Sequence, residues 1–168
     1  CYMAPFLAAL WKTMPTFDYA GFDIVAALTA AHVAALGPRG GARLRFGVLD
    51  ARREVPPRAD LLFSRAMTNH MCTEDVQRTL ENFNRSGASF ALLRHMPHAR
   101  NPVLPCGEAE VQELFDSGAY VVQSLTSPPY SLPRPLRLYP DVQQGSQPGS
   151  TFLGLWRLPF GHRHTPRS

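Results

Sequence analysis

Residues 45–93, RFGVLDARREVPPRADLLFSRAMTNHMCTEDVQRTLENFNRSGASFALL, hold two apolar runs, a well-punctuated helix and a third apolar run. Leu44-Arg45-Phe46-Gly47-Val48-Leu49 reads as a strand stopping at Asp50. After the turn signal Pro56-Pro57, Asp60-Leu61-Leu62-Phe63-Ser64 reads as a second strand stopping at Arg65. The loop Arg65–Cys72 delivers Thr73, an expected N-cap, with Glu74 and Asp75 in a first turn where the helix dipole favours negative charge. Val76, Leu80 and Phe83 give the helix one apolar face, and Gly87 stands where a left-handed residue ends a helix. Ala88–Leu93 is the next strand. Strand, helix and strand with near-continuous apolar strands predict a parallel sheet covered on both faces.

Upstream, Phe17–Val25 reads as a strand ending near Asp23, followed by an alanine-rich helix to Leu36 and a Gly37–Gly41 turn. The chain opens at Cys1 without a methionine. Met3, Phe6, Leu7, Leu10 and Trp11 fall at helical spacing, so the sequence is expected to be a fragment that begins at a helix whose preceding strand is missing. Downstream, eleven of the 16 prolines lie from Pro97 onward and break the chain into short pieces. Glu108–Phe115 predicts a short helix, and Ser127–Pro135 an extended, polyproline-like segment. Leu136–Tyr139 and Phe152–Leu158 predict an antiparallel pair around a Gln143–Ser150 loop, and the tail from Gly161 is expected to be disordered.

With 168 residues at 45% hydrophobic content, one domain with a sizeable core is the default, spanning residues 1–160 before a basic tail at 161–168. No apolar run reaches membrane-spanning length, so no membrane partner is expected. The net charge of +4 comes from scattered arginines rather than a basic patch interleaved with aromatics, so no nucleic acid is expected either. Cys1, Cys72 and Cys106 are odd in number and lack metal-ligand spacing; they suit a reducing, cytoplasmic compartment and no metal site. Cys72 reads as a buried, inert thiol.

An acidic residue closing one strand (Asp23 in Tyr19–Val25), a second closing the next (Asp50 in Val48–Ala51), and Ala59–Arg65 with His70 five residues on resemble the class I S-adenosylmethionine-dependent methyltransferases. Thr73–Gly87, Pro128–Pro133 and Leu153–Leu158 extend the likeness to a subgroup of uncharacterised methyltransferase-domain proteins. The resemblance implies a three-layer, Rossmann-like α/β sheet, mostly parallel with an antiparallel C-terminal pair, without its first strand and glycine-rich loop. In an open α/β sheet the ligand sits outside the carboxyl ends of the strands. The implied cofactor is S-adenosylmethionine: Asp23, with Ile24 beside it, would take the ribose hydroxyls, Asp50 and Ala51 the adenine, with Ser64 and Arg65 lining the same crevice.

Methyl transfer from a sulfonium asks mainly for alignment and exclusion of water. The resemblance places Arg65, Asn69 and His70 on the loop where family members present their acceptor, and His70 is the one there that could take a proton near neutral pH; it thus implies Arg65 and His70 as the catalytic candidates, and Asn69, His70 and Tyr130 as the substrate-binding ones. The acceptor is a small molecule or a protein, and the oligomeric state is not readable. Each residue also has a plain role: Asp23 and Asp50 suit a cap and a turn, Arg65 a carboxylate partner, His70 a loop support, and Trp156 and Tyr130 packing. Ala66, where several relatives carry Asp, bears against acceptor activation. The alternative function is a catalytically inactive, methyltransferase-like binding domain with the proline-rich segment as its surface.

Overall fold

The structure, a computed structural model, describes residues 12–14, 16–40 (backbone alone for 38–40), 43–141 and 151–161. The expected helix over Met3–Trp11, the whole Gln143–Ser150 loop and the tail beyond Gly161 lie outside the described residues. The chain divides into two compact units, Cys1–Asp50 and Ala51–Ser168.

In the first unit, β1 (Tyr19–Asp23) leads into α1 (Ala26–Gly40) and then β2 (Leu44–Val48). The strands are parallel, with Tyr19 opposite Leu44 and Asp23 opposite Val48. Leu36 and Leu44 are buried against Phe17, Tyr19 and Phe46. Tyr19 and Phe46 meet edge to face at 5.9 Å, and His32 stacks on Phe46 at 5.4 Å. Burial raises the Tyr19 phenol above its ordinary pKa. Gly21 is required by this packing, because a Cβ there would come within 2.8 Å of both the Phe46 and Tyr19 rings. The helix outlasts its expected end at Leu36 and takes in Gly37–Gly40, so those residues form its last turn rather than a separate loop.

In the second unit, β3 (Leu61–Ser64), α2 (Thr73–Arg85) and β4 (Phe90–His95) repeat the parallel pattern. They are followed by α3 (Ala109–Asp116), β5 (Arg137–Pro140) and β6 (Phe152–Arg157). The sheet order is β3-β4-β6-β5. Strand β6 is antiparallel to both β4 and β5, as the two C-terminal runs predict. Val76, Leu80 and Phe83 are buried, as their spacing requires. Trp156 is 1% exposed; its Nε1 donates to Pro133 O at 2.8 Å, and its ring meets His95 and Phe160 edge to face. Burying such side chains stabilises the fold by about 1.5–3 kcal/mol each. Gly87, at φ +71°, takes the left-handed conformation expected past the end of α2.

Four expectations are corrected. Only β4 is buried along most of its length; Phe22, Leu61 and Phe63 are 43%, 46% and 38% exposed, so β1 and β3 follow alternating rather than fully covered patterns. The residue capping α2 is Cys72, not Thr73; Thr73 is the first helical residue, and its Oγ1 instead accepts from Leu104 N at 2.8 Å. Ser127–Pro135 does not start extended: Tyr130 N and Ser131 N both donate to Ser127 O, making a tight turn. Cys72 and Cys106 form a disulfide, so Cys72 is not an inert thiol and the cysteine count is no argument for a reducing compartment.

Candidate functional site

In the first unit the candidate residues lie at the carboxyl ends of two parallel strands, where the sheet ends and backbone groups open toward a ligand. Asp23 is the last residue of β1. Its Oδ1 accepts from Val25 N at 2.8 Å, which orders the turn into α1. Its Oδ2 makes no hydrogen bond among the described residues. The Leu49 amide donates to Asp23 O at 3.1 Å and carries the pairing one residue past β2, so Asp50 emerges at the same end as Asp23. Ile24, beside it, is 53% exposed.

In the second unit Ala51 is buried, and its carbonyl accepts from Asn82 Nδ2 on α2 at 3.0 Å. Ser64 ends β3 with a buried Oγ that has no hydrogen-bond partner among the described residues. Arg65 turns to Asp141, donating from Nε at 3.0 Å and from Nη2 at 2.7 Å to Oδ1. Asn69 is buried and holds the loop by a two-way bond with Val121: its Nδ2 donates to Val121 O at 2.9 Å, and its own carbonyl accepts from Val121 N at 2.9 Å. His70 is exposed. Its Nδ1 lies 3.0 Å from Ala119 O; a carbonyl only accepts, so Nδ1 carries the proton and, in the neutral ring, Nε2 is the basic atom.

His70 lines a cavity of about 230 Å³ with Arg52, Asp75, Val111, Gln112 and Phe115. The Cys72–Cys106 disulfide borders it. Cys72, Asp75 and Cys106 bring three potential metal-ligand atoms within 4.8 Å. The sulfurs are joined to each other, however, and the Asp75 carboxylate pairs with Arg52 at 3.2 Å and Arg78 at 3.3 Å. Tyr130 is not part of this group. It lines a separate cavity with Gln77, Leu80, Glu81 and Phe160, and burial raises its phenol pKa, against the lowering effect of a hydrogen bond with Thr73.

Three features escaped the sequence reading: Asp141 as the Arg65 partner, the Ala119 carbonyl that fixes the His70 ring, and Asn101. Asp141 had a signal, since it directly follows a strand, as Asp50 follows the Leu44–Leu49 run. Asn101 had none; its Nδ2 donates to Ser124 O at 2.8 Å and Pro128 O at 2.7 Å, while Oδ1 accepts from Ser124 N at 2.8 Å.

No family model and no curated protein matches the sequence. Solved structures share its fold. The pyocyanin biosynthetic protein PhzM is 14% identical, with a TM-score of 0.62 over 90% of this chain and 46% of its own. The SAH-bound form of CalO1, a methyltransferase in calicheamicin biosynthesis, is 18% identical with a TM-score of 0.59 over 92% of this chain and 45% of its own. The [4+2]-cyclase SpnF is 16% identical with a TM-score of 0.57 over 82% of this chain and 50% of its own. The chain thus spans about half the length of these structures. Its fold is the α/β fold of class I methyltransferases, with a mixed second sheet.

Proposed function

We propose that the protein transfers a methyl group from S-adenosylmethionine to an acceptor held in the cavity beside His70. The observation that carries this reading is the ring of His70, a residue lining the cavity, whose Nδ1 is occupied by the Ala119 carbonyl so that Nε2 is left as the basic nitrogen. CalO1, solved with SAH, lends support from the same fold.

The residues present fit part of the cofactor. Asp23 offers a carboxylate oxygen for ribose hydroxyls that is unengaged among the described residues. The strand-to-helix loops after β1 and β3, Ile24-Val25 and Arg65–Cys72, contain no glycine, so a glycine-rich cradle for the methionine end is not among the described residues. In the first unit, Asp23 and Ile24 would hold the ribose and Asp50 the adenine. When bound, the sulfonium supplies an electrophilic methyl group. This chain's own work is to hold the acceptor and to take its proton at His70 Nε2. Arg65, bound to Asp141, positions the loop rather than touching the acceptor.

A second reading, a domain of this fold that does not transfer methyl groups, such as a binding domain, is left open by one finding: the same fold serves the [4+2]-cyclase SpnF, so the fold alone does not dictate methyl transfer. Calorimetry and methyl-transfer turnover on the intact protein separate the two. S-adenosylmethionine binds, and Asp23→Ala weakens binding by about 1.5–3 kcal/mol through loss of charge-assisted hydrogen bonds. Absence of binding by the intact wild type would leave only the second reading.

A further inference from the structure

Helix α3 forms one wall of the His70 cavity through Val111, Gln112 and Phe115, yet none of its residues is buried. Its side-chain hydrogen bonds stay within its own segment, as from Gln112 to Asp116 and from Ser117 to Leu114. On either side stand Gly107 at φ +86° and Gly118 at φ +78°, both with open space around the Cα. Left-handed glycines with no neighbours are where the chain turns with least resistance. Behind the second glycine, Ala119 and Val121 are bonded to His70 and Asn69. Ahead of the first, Leu104 is bonded both ways to Thr73. The one covalent tie, the Cys72–Cys106 disulfide, ends on the residue next to Gly107.

We propose that this disulfide is a thiol-exchange site that latches α3 as a lid over the cavity. Cys106 is partly exposed and Cys72 is buried, so an incoming small-molecule thiolate attacks Cys106 Sγ. The S–S bond breaks and its electron pair leaves on Cys72 Sγ; Cys72 is the N-cap residue of the 13-residue α2, at the helix end where the dipole favours an anion. A second thiolate attacks the small-molecule sulfur of the mixed disulfide and releases Cys106 as a thiolate. Two external thiols become one disulfide, and the protein gains two electrons and takes up protons from water. Freed at Cys106, the lid hinges from Leu104 onward and the cavity opens. The latch is argued from the helix, its glycines and the disulfide, and holds whatever the cavity binds.

The test is hydrogen exchange on the intact protein with and without dithiothreitol, alongside non-reducing peptide mapping. Mapping should recover a Cys72–Cys106 peptide, and reduction should speed exchange at residues 107–118 by roughly ten-fold while leaving α2 unchanged. The Cys106→Ser variant should exchange at the fast rate whether or not reductant is present. Equal rates at 107–118 in both states, loosening of α2 to the same degree as α3, or both cysteines alkylated before reduction would each overturn the latch.

Discussion

Arg65, one residue past β3, holds Asp141, one residue past β5, with its Nε 3.0 Å and its Nη2 2.7 Å from Oδ1. Those two strands are the opposite edges of the four-stranded sheet. The pair therefore straddles the end at which β3 and β4 finish and β6 begins. Asp141 is 5% exposed at its side chain and Arg65 43%, so the carboxylate is the member that depends on the bond. Arg65→Ala should lower stability by about 1–3 kcal/mol, the cost of a buried carboxylate discounted for the guanidinium's exposure. Arg65→Lys should recover only part, because an ammonium cannot make the two-donor fork. An unchanged urea midpoint in Arg65→Ala would show that the bridge contributes nothing.

For His70, stability and turnover should separate. The ring is exposed and bonds one carbonyl, while the loop's anchor is the buried Asn69. His70→Ala in the intact protein is thus expected to change stability by less than about 0.5 kcal/mol and to reduce turnover roughly 10²–10⁴-fold. Melting and turnover measured on one preparation decide it; a lowered melting temperature with turnover intact would reassign His70 to the support of the loop.

His95 should make the second unit acid-sensitive. Burial, with the neighbouring His98 charge as the smaller cause, lowers its pKa from 6.5 to about 4. Its Nδ1 accepts the Leu125 amide proton at 3.1 Å, which the protonated ring could not do. The folded pKa lies below the unfolded one, so the unfolded chain binds more protons between them. The contribution is present in full above pH 6.5, declines as pH falls through that window, and is gone below about pH 4. Its size is on the order of 3 kcal/mol. Chemical denaturation at pH 7 and pH 5 should show the drop, and His95→Gln should flatten it.

Gly154 has no space for a side chain: a Cβ there runs into the Trp156 indole. That indole is fixed by its bond to Pro133 O and by the His95 and Phe160 rings, so it cannot step aside. Gly154→Ala should destabilise by about 1–3 kcal/mol, as overpacking does. A melting temperature equal to wild type would mean that the ring relocates freely.

The sequence showed most clearly what local chemistry governs. The face of α2, the left-handed Gly87 and the antiparallel C-terminal strands follow from spacing and backbone preference, and the structure has all three. What it hid depends on residues distant in the chain. Thr73 reads as a cap because nothing local reveals that Leu104, 31 residues away, takes its hydroxyl. Cys72 and Cys106 are 34 residues apart, and an odd cysteine count carries no pairing. Ser127–Pro135 reads as extended because prolines favour it; the Asn101 amide instead gathers the Ser124, Ser127 and Pro128 carbonyls into a turn. The place of Asp23 at the end of a strand and of His70 on the loop after β3 was legible, whereas the partner that occupies Arg65 was not.

Asn101 also bears on how the protein ages. Its amide works in both senses, donating to Ser124 O and Pro128 O and accepting from Ser124 N. Hydrolysis to aspartate would set a negative oxygen against carbonyl oxygens now 2.7 and 2.8 Å from the amide nitrogen and open the turn. The common spontaneous route to that damage begins with attack on the side-chain amide by the next residue's backbone nitrogen. Here the next residue is Pro102, whose ring nitrogen has no hydrogen to lose, so the five-membered imide does not close. The amide on which the turn depends is thereby shielded from slow chemical decay by its own neighbour in the chain.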